Sequence, residues 1–219
     1  LLAGAHAGFA PASPGSQENV DPETSTNYEA GARFQVDNLS VSAVVFYSDY
    51  ENKVTNCSVA FPCGAFTSGS ESEGESETKG LEFALSGGIY QNSDFSIPLM
   101  VSYTYTEAEI TDAANSGNQD GDVLPYVPEN VLNAQIGFEL TSGWSTYLNA
   151  SYIDEMCVET SCERSGVDDT FLKTDDVLVF DLATHYPLNE ATSVYLKVDN
   201  LFFFYTFFSI ISWHRNKPD

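Results

Sequence analysis

Long and short connections alternate along this chain, and that rhythm constrains the fold more than any motif does. Four polar stretches, 11–26, 51–77, 110–129 and 156–174, alternate with tight turns near 37–38, 91–95, 141–143 and 187–191. The pieces between them read as strands over 1–10, 27–36, 39–50, 79–90, 96–109, 131–140, 144–155, 175–186 and 192–202. A strict alternation of loop length predicts up-and-down antiparallel pairing, with every long loop at one end of the sheet. Transmembrane β-barrels have this asymmetry, with long loops outside and short turns on the periplasmic side.

The strands alternate in polarity. In 131–140, Leu132, Ala134, Ile136, Phe138 and Leu140 face one side, and Asn133, Gln135, Gly137 and Glu139 the other. In 39–48, Leu39, Val41, Ala43, Val45 and Tyr47 oppose Ser40, Ser42, Val44, Phe46 and Ser48. Segments 80–86 and 194–199 follow the same period, which is the signature of a strand with two different faces. Most of these runs reach about 9–14 residues, beyond the ~5–6 usual in globular sheets and enough for the ~9–11 that a tilted strand needs to cross a bilayer. Tyr28, Tyr47, Tyr50, Tyr90, Trp144, Tyr152, Tyr186 and Phe202 fall near strand ends, where barrels carry aromatic girdles.

Composition agrees with a membrane wall made of strands. The mean hydropathy is -0.17, too polar for a helical membrane protein, and no run approaches the ~18 apolar residues of a spanning helix. The opening LLAGAHAGFAPA superficially resembles the apolar part of a signal peptide but lacks a basic flank, so a strand ending at a Pro-rich loop is the preferred reading. The chain carries 32 Asp and Glu against 8 Lys and Arg, a net charge of -24. That excludes nucleic-acid binding, which needs basic stripes. Half of the acids lie in the four long loops, including Glu71, Glu73, Glu75 and Glu77. They form either a solvated surface suited to salty water or a field that repels anionic ligands and favours neutral or cationic ones. Residues 68–78, SGSESEGESET, read as a mobile low-complexity stretch.

Four cysteines form two close pairs, Cys57/Cys63 and Cys157/Cys162, each inside one long loop. Intraloop disulfides and an oxidising compartment are expected, with four reduced buried thiols as the alternative. No metal site or cofactor is expected. His6, His185 and His214 are far apart in sequence, and His185 shares a strand face with Asp181 as a polar wall contact. Segment 118–122, NQDGD, faintly resembles a calcium loop, but Val127 stands where a bidentate carboxylate belongs, so a turn is expected. No nucleophile set or phosphate loop occurs, so no catalytic residue is assigned.

A series of short segments then resembles one family. DPETSTNYEAG at 21–31, with Pro22, Glu23, Ser25, Tyr28, Glu29 and Gly31, is similar to a stretch near the end of TonB-dependent outer-membrane receptors. KGLEFALSG at 79–87, with Lys79, Gly80 and Glu82, resembles their KG-[LV]-E strand. SYTYTEAEI at 102–110, LPYVPENVLNAQIGFEL at 124–140 with Pro128, and DNLF at 199–202 with Asn200, Leu201 and Phe202 follow in the family's order. The set looks most like the ferric-siderophore and ferric-citrate branch. The resemblance implies a fragment of a 22-stranded plugged barrel, about nine strands over 1–202. The intact receptor would sit in outer-membrane lipid and bind an iron chelate at its outer loops. It would import that ligand through a TonB complex reached by an N-terminal region that this chain lacks. Loops 51–77, 110–129 and 156–174 would supply part of the ligand surface.

The end departs from the family pattern. Phe203 stands where an Asp is expected and Tyr205 falls one position early, and 203–219 loses alternation. An aberrant tail without a terminal strand is expected, through a frameshift or a mis-called end; the alternative is a hydrophobic strand followed by a basic tail. The rival functions are a passive porin-like channel, a secreted β-rich adhesin or binding module, and an outer-membrane enzyme. Glu82, Asn133, Gln135, Glu139, Asn149, Lys197 and Asp199 on the inward faces argue against the dry interior that a secreted sandwich needs.

Overall fold

A computed structural model describes residues 16–17, 22–52, 54–57, 68–72, 74–113, 118–169, 171–202 and 207–214. The described residues form twelve strands: β1 (Ser16–Gln17), β2 (Thr24–Val36), β3 (Leu39–Glu51), β4 (Val54–Cys57), β5 (Ser68–Ser72), β6 (Glu75–Gln91), β7 (Phe95–Asp112), β8 (Asn130–Leu140), β9 (Ser145–Ile153), β10 (Val177–Asn189), β11 (Thr192–Asp199) and β12 (Phe207–His214). Nine build one open sheet in the order β12-β11-β10-β9-β8-β7-β6-β3-β2. Every neighbouring pair in it is antiparallel. The other three form a small sheet, β1-β5-β4, in which β4 and β5 come from the connection between β3 and β6 and β1 from the chain before β2.

Antiparallel order places all the long connections at one end and all the turns at the other. The turns have local chemical causes. Asp37 takes φ 50° between β2 and β3, a left-handed conformation that Asp tolerates. The Asn92 side chain accepts from the backbone N–H of Asp94 and Phe95, both at 2.8 Å, and closes the β6–β7 turn. Gly143 takes φ 93° in the β8–β9 turn, and its N–H donates to the Leu140 carbonyl at 2.8 Å.

Register fixes the two faces. Tyr28 pairs with Tyr47, Val45 with Leu81, Tyr103 with Leu132, Ile136 with Leu148 and Leu182 with Val198. These apolar rows run across the wall as one outward face. The opposite face carries Glu29, Arg33, Glu82, Asn133, Gln135, Glu139, Asn149, Asp181 and Lys197. Its polar groups pair laterally: Gln135 donates to Asn149 at 2.7 Å, and Ser96 donates to Glu139 at 2.9 Å. Tyr90, Phe95, Phe138 and Trp144 stack in sequence along the turn end. Tyr28 and Tyr47 meet at the other, where Tyr103 and Tyr152 also lie.

Three departures from the sequence reading have physical reasons. Strands β6 and β7 run through 17 and 18 residues into stretches expected to be loop. A ladder of backbone hydrogen bonds needs no apolar alternation once it leaves the membrane, so hydropathy stops marking it. Residues 68–72, expected to be mobile, pair as β5 with β4 and β1. At the C-terminal end no strand is expected, yet β12 pairs with β11 over eight positions from Thr192–His214 to Asp199–Phe207. The tail thus continues the sheet without polar–apolar alternation. The expected first strand, 1–10, lies outside the described residues.

Candidate ligand surface at the outer end

The described core lies beyond the wall. Of the buried residues, Ser76, Ala108, Ile110, Ala113, Asp122, Cys157 and Cys162 sit at or above the long-loop ends of β6 and β7, whereas Gly137 and Val198 belong to the wall proper. At ~3.4 Å per residue β7 reaches about 60 Å, a rise of about 43 Å at a ~45° tilt, beyond the ~30 Å hydrocarbon thickness, so its upper part stands in water. The chain returning from 118 to 129 follows it down. Ile110 N–H donates to the Asp122 carbonyl at 2.7 Å, Gly121 N–H to Ile110 at 2.8 Å, Leu124 N–H to Ala108 at 3.0 Å and Thr106 N–H to Glu129 at 2.9 Å.

The connection between β9 and β10 packs against this edge. Val158 N–H donates to Leu172 and Thr174 N–H to Met156, both at 2.8 Å, which closes 156–174 into a hairpin-like loop. Cys157 and Cys162 are joined by a disulfide within it. Their sulfurs therefore serve each other, so the nearby Glu163 has no thiolate partner for a metal. Cys57 and Cys63 fall outside the described side chains. The 118–122 segment is a turn, as Asp122 N–H donates to the Gln119 carbonyl at 3.0 Å.

A cavity of about 300 Å³ opens among β7, 121–129 and 154–173. Glu107, Glu109, Glu129, Asp154, Glu155 and Glu163 line it with Lys173. The described cations at this end are all engaged by carboxylates. Lys79 reaches Glu77, Glu107 and Glu109 at 2.9, 3.1 and 3.3 Å. Lys173 reaches Glu155 at 3.0 Å and Glu163 at 3.5 Å; Glu155 above all holds its ammonium more strongly protonated than usual. Arg164 forks onto Asp122, with Nε 2.7 Å from Oδ1 and Nη2 bonded to Oδ2. Arg164 first, and then the Gln119 N–H, keep the Asp122 carboxyl below its ordinary range. Sequence reasoning missed this pair because its members stand 42 residues apart in stretches with no period.

The segments that carry the family resemblance have structural positions of their own. Pro22 and Glu23 precede β2, which holds Ser25, Tyr28, Glu29 and Gly31. Lys79, Gly80 and Glu82 lie on β6, and Pro128 stands two residues before β8. A Cβ at Gly80 would meet the Phe46 ring at 2.5 Å, so only glycine lets that ring lie across the strand. Asn200 takes φ 58°, and its N–H donates to Asp181 at 2.9 Å while Leu201 N–H donates to Phe180 at 2.7 Å. The DNLF turn thereby ties the end of β11 back to β10, and Phe202 packs edge-on against Phe180.

An open antiparallel wall with extended outer strands and an ordered outer cluster is a recognisable arrangement. Residues 3–201 match the family described as TonB dependent receptor-like, beta-barrel. The chain belongs to that family. These receptors are transport proteins of the outer membrane rather than enzymes. An iron-regulated outer membrane virulence protein of Vibrio cholerae is 29% identical over 195 residues, covering 84% of this chain and 28% of that protein. A metal-pseudopaline receptor, CntO, of Pseudomonas aeruginosa is 26% identical, covering 83% of this chain and 24% of its own length. Among solved structures, the ferric-catecholate import receptor Fiu of E. coli superposes with a TM-score of 0.65 at 23% identity, over 89% of this chain and 26% of that one. The chain thus spans about a quarter of the length of these receptors.

Proposed function

We propose that this chain is the part of a TonB-dependent receptor that helps to capture an iron chelate and to import it with TonB-coupled energy. The observation that carries this reading is the outer cluster. A passive channel needs only a wall, whereas here 118–129, 154–169 and 171–174 form a surface above the membrane that is tied down by backbone bonds and a disulfide. Relatives whose names concern iron regulation, metal-pseudopaline and ferric catecholate support a chelated metal as cargo. The charge of the outer surface narrows the class. With Lys79 and Lys173 each shared among several carboxylates and Arg164 held by Asp122, the field is set by the excess of carboxylates over cations and favours neutral or cationic chelates over anionic ones.

The full-length receptor decides it. A receptor-deficient, iron-starved strain carrying the complete gene should regain growth on neutral ferric chelates, only when TonB is present. Growth without TonB would establish the porin-like alternative. Growth on polyanionic chelates alone would overturn the charge reading.

A further inference from the structure

Three links join the two outer connections directly. The Asp122 carboxylate accepts both arms of Arg164. Thr160 Oγ1 donates to Asn118 Oδ1 at 2.8 Å. Tyr126 N–H donates to the Cys157 carbonyl at 2.8 Å. The ion pair is unlike those on the exposed rim. Asp122 is only 2% exposed in its side chain, and Arg164 24%. A solvent-exposed pair contributes little, but a buried carboxylate left without its partner is strongly unfavourable. The loop that carries Arg164 is built to aim it. The Cys157–Cys162 disulfide closes the preceding turn. Successive turns follow, with Cys162 N–H donating to Glu159, Arg164 N–H to Ser161 and Val167 N–H to Arg164. On the other side Asp122 is held by the Gln119 N–H at 2.7 Å and by its backbone carbonyl on Ile110.

We propose that segments 118–129 and 154–169 act as one clasp, in which the disulfide-closed turn presents Arg164 to buried Asp122, so that opening either segment opens both. Arg164 and Asp122 are positioning residues in this device. The clasp welds the β7–β8 and β9–β10 connections into a single body on the end of the wall. A force or ligand acting on one connection therefore displaces the other as well. The chemistry is a buried guanidinium–carboxylate fork, which fixes orientation as well as distance. This coupling is independent of what the receptor carries.

Hydrogen exchange read by mass spectrometry on the full-length receptor in membranes, without ligand, tests it. Arg164→Gln and Asp122→Asn should each raise exchange in both segments by about tenfold or more, as loss of a buried ionic partner implies. The double variant should exceed neither single one. A rise confined to the mutated segment, or effects that multiply in the double variant, would overturn the clasp. Where these variants fail to assemble, Arg164→Lys keeps the charge without the fork and should give an intermediate rise in both segments; a rise in 154–169 alone overturns the proposal equally. An oxidised cysteine pair at Asn118→Cys and Thr160→Cys should restore protection to both segments of the Arg164→Gln variant. Failure of that crosslink to protect the 118–129 turn would count against the coupling, and merely structural loosening of the Arg164 loop would not be rescued from the other side.

Discussion

The wall and the outer cluster of this receptor segment are stabilised in opposite ways. The nine-stranded sheet is one layer thick, and its large apolar side chains, such as Phe34, Val45 and Ile136, remain well exposed. Its internal order comes from the ladder, and its apolar face is completed by lipid. The outer cluster stands in water and has a small core of its own. It buries Ile110, Asp122, Cys157 and Cys162 and adds a disulfide and an ion pair. A membrane wall can therefore be encoded by alternation alone, whereas a surface in water must specify particular partners.

Removing the lipid separates the two regions most sharply. In detergent-free buffer the 219-residue chain should aggregate, because the outward face is bare and the described sheet ends on the open strands β2 and β12. Analytical ultracentrifugation checks this, and a soluble monomer with cooperative unfolding would erase the contrast. Within the intact receptor, Arg164→Ala strands the buried Asp122 carboxylate and should destabilise the outer cluster by about 3–5 kcal/mol while leaving the wall unchanged. Limited proteolysis within 118–129 should detect it while the barrel keeps its heat-resistant mobility on gels.

Ile136→Arg reverses that pattern. It places a charge near the middle of the outward face of β8, at a cost of about 2–4 kcal/mol, and should lower barrel assembly with no effect on the protease resistance of the outer loops. Replacing Cys157 and Cys162 by serine should cost the cluster about 2 kcal/mol, the loop-closure value for so short a ring. Acid has the smallest effect over the accessible range. The Asp122 carboxyl is held below its ordinary value, so its stabilisation is complete above that value and is lost only as pH falls through the depressed one. Protease resistance of 118–129 should stay flat from pH 8 to pH 5 and fall below about pH 4. A decline already at pH 6 would mean that another group controls the cluster.

These differences also explain what could be read in advance. Eight strands of the wall were legible because Leu132, Ile136 and Phe138 recur with period 2 beside Asn133 and Glu139, and because loop length alternates. The outermost residues of β6 and β7, 75–78 and 110–112, were not legible, since they pair through the backbone in water, where polarity carries no period. Strand β12 was missed for the complementary reason: FFSIISWH is apolar on consecutive positions and gives no face.

The amino-acid sequence by itself determined the up-and-down wall, the end at which the long connections lie, and the acidic character of that end. Local periodicity and turn chemistry suffice for these, because each depends on residues close together along the chain. Only the tertiary structure decided that Arg164 meets Asp122, that Phe46 lies over Gly80, and that Lys79 and Lys173 are each shared among carboxylates. Those choices join residues from different connections or strands. They depend on the register and packing of the whole sheet, which no local stretch of sequence encodes.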